Sequence, residues 1–235
     1  MSGKVGSIST PIVVDGLVLN MDAANRSSYP KTGTIVTDTI GNINGTMSGV
    51  TFIPDNGTIA SNFNFDGTDD SINFGDILSS PTSLSIFAWV NTADNSEFPI
   101  VVKGIGSTGT REYSLYVFTT KIMGTVADES AGDVDHLLGS TTISENEWLN
   151  VGMSWDGFTL RVYLNGEIDG SAATSVTEIE NLSAPLYIGQ DTSPDFANGK
   201  ISNTQIYNRA LSASEVLHNY NALKGRFGLW NSGIE

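Results

Sequence analysis

Carboxylates are the groups with the most chemistry to offer in this chain of 235 residues, which carries 26 Asp and Glu against 11 Lys and Arg, a formal charge of −15. Two chemistries need them in ordered sets. Glycoside hydrolysis places a carboxyl on either side of the scissile bond, and calcium binding gathers oxygens from carboxylates, amides and carbonyls. For hydrolysis, strand alternation would have to present acids on one face. The nearest candidates are Glu112, Glu145, Glu147, Glu167 and Asp169, and the pairs Glu145/Glu147 and Glu167/Asp169 each supply only two alternating acids beside turns. These read as solvated strand ends, so no catalytic residue is assigned. For a cation, Asp66, Asp69 and Asp70 can converge at the turn in FDGTDD. Asp128, Glu129, Asp133 and Asp135 form a second cluster whose spacing does not match an EF-hand loop. Solvated turns are the preferred reading of both clusters, and in FDGTDD Gly67 permits the turn and Asp66 can bond nearby backbone.

Nucleophilic chemistry has little material. There is no cysteine, which excludes disulfides, thiolate metal sites and cysteine nucleophiles. His136 and His218 are the two histidines, and neither lies near a nucleophile-elbow pattern. Sugar recognition works differently, by stacking aromatic faces on C–H surfaces with polar groups at the rim. Tyr29, Phe98, Tyr113, Tyr116 and Tyr163 are the candidate platforms, although most are expected to pack in the core or on a sheet. Trp89, Trp148 and Trp155 sit in apolar strands and read as core.

The charge repels phosphate backbones and anionic headgroups, so neither nucleic acid nor a membrane surface is an expected partner. Solubility explains the same charge, and so does an organised cation-binding surface. No stretch approaches the length of a membrane span, and the opening MSGKVGSISTPIVVDGLVLN is too weakly apolar for a secretory signal.

The elements that would position these groups are strands. In EWLNVGMSWDGFTLRVYLNGEIDG, three β-rich runs are divided by Asp156-Gly157 and Asn165-Gly166, dipeptides suited to tight hairpin turns. Alternation in the middle run predicts Phe158, Leu160, Val162 and Leu164 on a core face, with Thr159, Arg161 and Tyr163 on a wetter one. SLSIFAWVN is apolar on both sides, as a central strand covered on both faces should be. Further strands are expected at Gly16–Asp22, Ile43–Ile53, Ser61–Phe65, Ser71–Phe74, Phe98–Lys103, Glu112–Thr119, Lys121–Val126, His136–Ser140, Pro185–Gly189 and Gly199–Asn208, about a dozen in all. The twenty residues after Asp22 read as a long loop. One helix is predicted, with Ser212 as N-cap, Glu215 completing a capping box, Val216, Leu217, Tyr220 and Leu223 on one face, and Lys224-Gly225 as its end. The expected organisation is a flexible arm over 1–13, one domain over 14–225 and a tail over 226–235, whose Phe227, Leu229 and Trp230 either fold back or meet a partner.

The order GLVLNMDAANRSSYP, INGTMSGV, FNFDGTDDSINFG, SLSIFAWVN, EWLNVGMSWDGFTLRVYLNGE, PLYIGQ and ISNTQIYNRALSASEVLHNYNALKGRFG resembles the concanavalin A-like lectin/glucanase superfamily, in its laminin-G-like, pentraxin-like branch. The resemblance implies an all-β fold, a two-sheet antiparallel jelly-roll sandwich with one short C-terminal helix, and a concave sheet with its rim loops as the usual ligand surface. It also implies a structural calcium between the first and last strands, held by early carbonyls near Asp22 and an aspartate of the final strand. At that place the chain reads Ile201-Ser202-Asn203, so Ser202 and Asn203 would offer only neutral oxygens and weaken the site. The opening and closing motifs are also similar to single-domain virion proteins of tailed phages. The expectation is therefore a non-catalytic binding or structural module of a virion, serving as capsid decoration, fibre or attachment protein. Its partners would be other virion proteins or cell-surface glycans, with a homo-oligomer through the termini. A lectin module of a bacterial surface or secreted protein is the alternative, and a glycoside hydrolase the third reading.

Overall fold

The computed structural model describes residues 11–41, 43–104, 111–128, 132–191 and 195–229. Residues 1–10 of the expected arm, Glu129 and Trp230 lie outside them. The strands in chain order are β1 (Leu17–Asp22), β2 (Ile35–Thr37), β3 (Asn44–Ser48), β4 (Thr51–Ile53), β5 (Asn62–Asp66), β6 (Ser71–Asn73), β7 (Leu84–Thr92), β8 (Glu97–Gly104), β9 (Arg111–Phe118), β10 (Lys121–Asp128), β11 (Asp133–Leu138), β12 (Leu149–Trp155), β13 (Thr159–Leu164), β14 (Glu167–Ala173), β15 (Leu186–Ile188) and β16 (Asn198–Tyr207). The helix α1 (Ala213–Leu223) follows, continued by a 3₁₀ turn at Lys224–Arg226.

Every pairing between these strands is antiparallel, and they form two sheets. The first runs β14-β13-β12-β7-β16-β5-β4, with β1 added on β16; the second runs β11-β10-β9-β8-β15-β6-β3-β2. This is the two-sheet sandwich expected from the motif order. The sixteen strands among the described residues exceed the expected dozen because short ones are cut from longer runs. The segment Ile43–Ile53 divides into β3 and β4 at Gly49, whose φ of +73° breaks the pleat. The presumed loop after Asp22 holds β2, a three-residue strand too short for alternation to register.

Strand β7 is buried at all nine positions. Leu84, Ile86, Ala88 and Val90 join the core between the sheets, where Phe63, Phe65, Leu115, Val117, Met153, Trp155 and Ile201 also lie. Phe87 and Trp89 point the other way and are covered by α1 and the chain ends. The expected two-faced central strand is therefore present, and the second cover comes from the C-terminal segment.

The meander has the expected turns. Asn165 and Gly166 take φ of +51° and +86°, the left-handed pair that matches the twist of flanking strands. One detail differs. Phe158 is 74% exposed, because Asp156 Oδ1 accepts from the backbone N–H of Phe158 (3.1 Å) and Thr159 (2.8 Å), which holds Phe158 in the turn. The face expected to be wetter is partly dry: Tyr163 is buried beside Phe87 at 5.6 Å, under Leu211 and Val216.

The capping box of α1 forms as predicted, with Ser212 accepting from Glu215 N–H and the Glu215 carboxylate accepting from Ser212 N–H. Leu217 is exposed, however, and Asn219 is buried in its stead. Its amide ties the chain ends together, accepting from Val13 N–H at 2.8 Å and donating to Tyr207 Oη at 2.9 Å. His218 Nε2 meets the Pro11 carbonyl at 2.9 Å, so residues 11–13 are fastened to the helix. At Lys224 the chain tightens into the 3₁₀ turn, which delivers Phe227 onto Trp89 with ring centroids 4.1 Å apart and nearly parallel. Of the tail's two alternatives, its described part folds back.

Two outcomes follow. Phe227→Ala should cost about 3 kcal/mol by removing a stacked, buried ring, read as a lower urea midpoint; an unchanged midpoint would show that the tail does not hold the sheet. Glu215 is held down at about 2, against an ordinary 4.5, chiefly by its hydrogen bonds from Arg209. Its folded value is the lower one, so its stabilisation is complete above the ordinary value and is lost as pH falls through about 2. Glu215→Gln should accordingly be less stable than the parent at neutral pH, the gap closing below about pH 2.

Candidate functional site

The two outer faces of the sandwich differ. That of the first sheet lies under α1, the 3₁₀ turn and residues 11–13. On the second sheet, pairing registers align Thr46, Asn73, Tyr187, Val102, Ser114, Thr125 and His136 in one row across β3, β6, β15, β8, β9, β10 and β11. The middle members Val102, Ser114 and Thr125 are buried, and a depression lies on each side of them.

The first depression, about 450 Å³, is lined by Glu97, Arg111, Tyr116, Phe118, Met123, His136 and Leu138. Alternation in β9 sends Tyr113, Leu115 and Val117 inward and Ser114, Tyr116 and Phe118 outward. Arg111 lies over the Tyr116 ring with its guanidinium carbon 5.4 Å from the centroid, and is ion-paired to Asp191. Thr125 Oγ1 holds His136 Nδ1 at 2.9 Å. Burial pushes the Glu97 carboxyl up, and the charges of Asp195 and Asp191 add to this while Arg111 offsets it. Burial likewise raises the Tyr116 hydroxyl. Ser114 Oγ is buried without a hydrogen-bond partner, while the Tyr116 hydroxyl faces the Asp191 carboxylate, whose charge and hydrogen bond add to its rise. A buried hydroxyl without a partner is uncommon in a native interior and marks a place for water or a ligand.

The second depression, about 520 Å³, is lined by Asn44, Thr46, Ser48, Ser71, Asn73, Phe74, Gly75, Tyr187 and Gln190, none of them charged. Asn73 donates to Tyr187 Oη at 3.1 Å and accepts from Gly75 N–H at 2.7 Å. The Tyr187 hydroxyl thereby keeps its own proton to donate.

Of the five candidate platforms, Tyr116 lines the first depression and Tyr163 lines a third, of about 380 Å³, between β13 and the start of α1. Tyr29 packs against Phe52 and Phe63 with its hydroxyl on the Gly33 carbonyl, Phe98 and Tyr113 are core, and Tyr163 lies under the helix. All five, Tyr116 included, are at most 4% exposed, so none has an open ring face for a sugar. The rings and charges that do line the outer face, Tyr187, Phe118, Arg111 and Glu97, were legible only as alternating strand positions.

The acids are placed as follows. Asp169 accepts from Ser140 and Thr141, and Glu145 from Asn95 N–H. Glu112 is buried beside Lys103 (3.5 Å), and accepts from Leu182 N–H at 3.1 Å. Burial raises its carboxyl, with Lys103 working the other way. These groups cap and cross-link loops, and the named acids do not line either depression.

A calcium between the first and last strands does not fit the residues present. Both Asp22 oxygens accept from Arg226, at 2.9 and 2.6 Å. Ser202 donates to the Ser61 carbonyl at 2.7 Å. The Asn203 amide points its N–H at Met21 O (3.2 Å) and Asn20 Oδ1 (3.1 Å), oxygens a cation would need. Ser202 and Asn203 lie where the register of β16 on β7 slips between Ile201 and Thr204. Arg226 thus supplies the positive charge from the chain itself. The second candidate set does converge, since oxygens of Asp66, Asp69 and Asp70 lie within 4.8 Å of one another. Asp70 is buried, caps Asp66 N–H at 2.9 Å and lies so close to Gly49 that a Cβ there would meet its Oδ1 at 1.9 Å. Burial raises the Asp70 carboxyl first, and Asp66 and Asp69 raise it further.

With this geometry in view, the chain belongs to the concanavalin A-like lectin/glucanases superfamily, whose laminin-G-type family matches residues 66–217. A stretch of 69 residues, 28% of the chain, is 41% identical to 73% of the trypomastigote decay-accelerating factor of Trypanosoma cruzi. Domain 4 of AbnA, an extracellular arabinanase from Geobacillus stearothermophilus solved in complex with arabinotriose, is similar in fold, with a TM-score of 0.67 at 18% identity over 87% of this chain and 98% of that one. So are the binding domain of Paraclostridial Mosquitocidal Protein 1 (TM-score 0.69, 17% identity, 88% of this chain) and the receptor-binding domain of botulinum neurotoxin D (0.65, 19%, 88%). This chain spans about half of each of those two, 52%. No described helix is long and apolar enough to cross a membrane.

Calcium at the aspartate turn should be weak. With the metal near its dissociation constant, the gain is about 0.4 kcal/mol, or roughly 1–2 °C between millimolar calcium and chelator. A rise several times larger, abolished by Asp69→Asn, would show a tight site.

Proposed function

We propose that this domain is a non-catalytic binding module that recognises glycan on the outer face of the second sheet and serves a tailed-phage virion as decoration, fibre or attachment protein. The observation that carries the binding reading is the depression at Tyr116. It combines apolar walls from Phe118, Met123 and Leu138 with Glu97, Arg111 and His136 as polar groups. Such a surface suits a ligand with both C–H faces and hydroxyls. Two of the fold relatives support the reading as binding domains, and a third, a domain of an arabinanase, was solved with arabinotriose.

The non-catalytic part is supported by Glu112, Glu145 and Asp169, which bond loops away from both depressions; Glu97 does line the Tyr116 depression, and the nearby Asp191 is taken up by its ion pair with Arg111. The virion setting draws on the resemblance of GLVLNMDAANRSSYP and YNALKGRFG to single-domain virion proteins. Many copies on one particle would raise a weak site to useful avidity. An extracellular or cell-surface lectin would use the same face and differ only in its carrier.

A glycan array probed with the folded domain tests this. Binding should appear and fall at least tenfold in Arg111→Gln, whose circular dichroism should match the parent. An array with no binder, from protein that co-purifies with particles, would leave a structural virion role and remove the glycan. Release of reducing sugar from any bound polysaccharide would overturn the non-catalytic reading.

A further inference from the structure

We infer that Asn56 is a self-modification site: the turn at 55–59 is arranged to close the Asn56 side chain onto its own backbone and convert it to aspartyl and isoaspartyl linkages.

Ring closure at an Asn-Gly pair needs a base on the glycine nitrogen, charge stabilisation at the asparagine amide oxygen, and a backbone that can bend. All three meet at this turn. Gly57 N–H donates to Asp55 Oδ1 at 2.6 Å, which sets a carboxylate on the nitrogen that must lose its proton. Asn56 Oδ1 accepts from the backbone N–H groups of Thr58 at 3.0 Å and Ile59 at 2.8 Å. Those donors hold the oxygen on which charge develops when the amide is attacked. Gly57 has a φ of +87° with open space where a Cβ would stand, and residues 54–58 are exposed, so water reaches the site.

The step balances with water as its one co-reactant. Asp55 takes the Gly57 amide proton as the nitrogen attacks Asn56 Cγ; the bond from Cγ to Nδ2 breaks, and the leaving nitrogen carries that proton away as ammonia. A succinimide ring remains as the covalent intermediate. One water then opens the ring at either carbonyl, giving an aspartyl or an isoaspartyl linkage at position 56.

The other Asn-Gly pairs are held differently. Asn44-Gly45 and Asn198-Gly199 lie inside the paired strands β3 and β16, whose ladders resist the bending that ring closure requires. Asn165 is clamped to Asn150 through both its backbone N–H and its Oδ1, and Gly166 abuts Tyr220. The 55–59 turn also leads into the cover of the first sheet. Ile59 bridges Phe227, and Ala60 N–H donates to the Arg226 carbonyl at 2.7 Å. An isoaspartyl linkage adds a methylene to the main chain just before that bridge, so conversion loosens the segment that lays Phe227 on Trp89.

Folded protein and a synthetic peptide of residues 51–61, incubated side by side at neutral pH, are followed by peptide mapping and by labelling with an isoaspartyl methyltransferase. Asn56 in the protein should convert about tenfold faster than in the peptide, and faster than Asn44, Asn165 and Asn198. Asp55→Asn keeps an acceptor for Gly57 N–H and removes the base, and should slow conversion about tenfold in protein whose melting matches the parent. A rate in the protein no higher than in the peptide, or an unchanged rate in Asp55→Asn, would overturn assisted ring closure. Isoaspartyl protein separated from the parent should show a urea midpoint lowered toward that of Phe227→Ala; an equal midpoint would overturn the link to the cover.

Discussion

Strand β7 has apolar side chains on both faces, and neither face can meet water without cost. The rest of the molecule answers that constraint. One face is closed by the opposing sheet. The other needs Phe87 and Trp89 covered, and no strand is left for the purpose, so the chain after β16 turns into α1 and the 3₁₀ turn. Trp89 is sandwiched between Tyr220 at 5.7 Å and Phe227 at 4.1 Å, both near parallel. The Arg226–Asp22 pair locks the end of this cover to β1. Each partner is partly exposed, so it contributes more to register than to net stability.

Much of this was legible in the sequence because its signals are local. Asn165-Gly166 states its turn, Ser212 and Glu215 state their cap, and SLSIFAWVN states that it is covered twice. What stayed hidden depends on partners distant in sequence. Tyr163 looks solvent-facing by alternation, yet Leu211 and Val216 come to lie on it. The β2 strand is too short to show a period. Phe158 is apolar and in phase with Leu160, and a backbone-to-Asp156 turn still leaves it in water.

The candidate site was less legible than the fold for the same reason. Its floor comes from several strands, each giving one or two outward residues that look alike in a single strand. Tyr116 and Tyr113 are three positions apart, so alternation puts them on opposite faces, and only the packing of one sheet on the other decides that Tyr116 lines a depression while Tyr113 donates to the Leu78 carbonyl in the core. Aspartates drew attention because they cluster in sequence. Several of them are occupied in turns and caps, while the depressions of the second sheet are lined by tyrosines, amides and one arginine.

The fastening of residues 11–13 to α1 carries a geometric consequence. Val13 bonds Asn219 and Tyr207, and Phe227 stacks on the opposite flank of the same sheet surface, so both described ends of the chain emerge from the covered side of the sandwich. A tether drawn from either end would hold the domain by its back. The row from Thr46 to His136 would then look away from whatever carries it, as the palm of a hand held at the wrist looks outward.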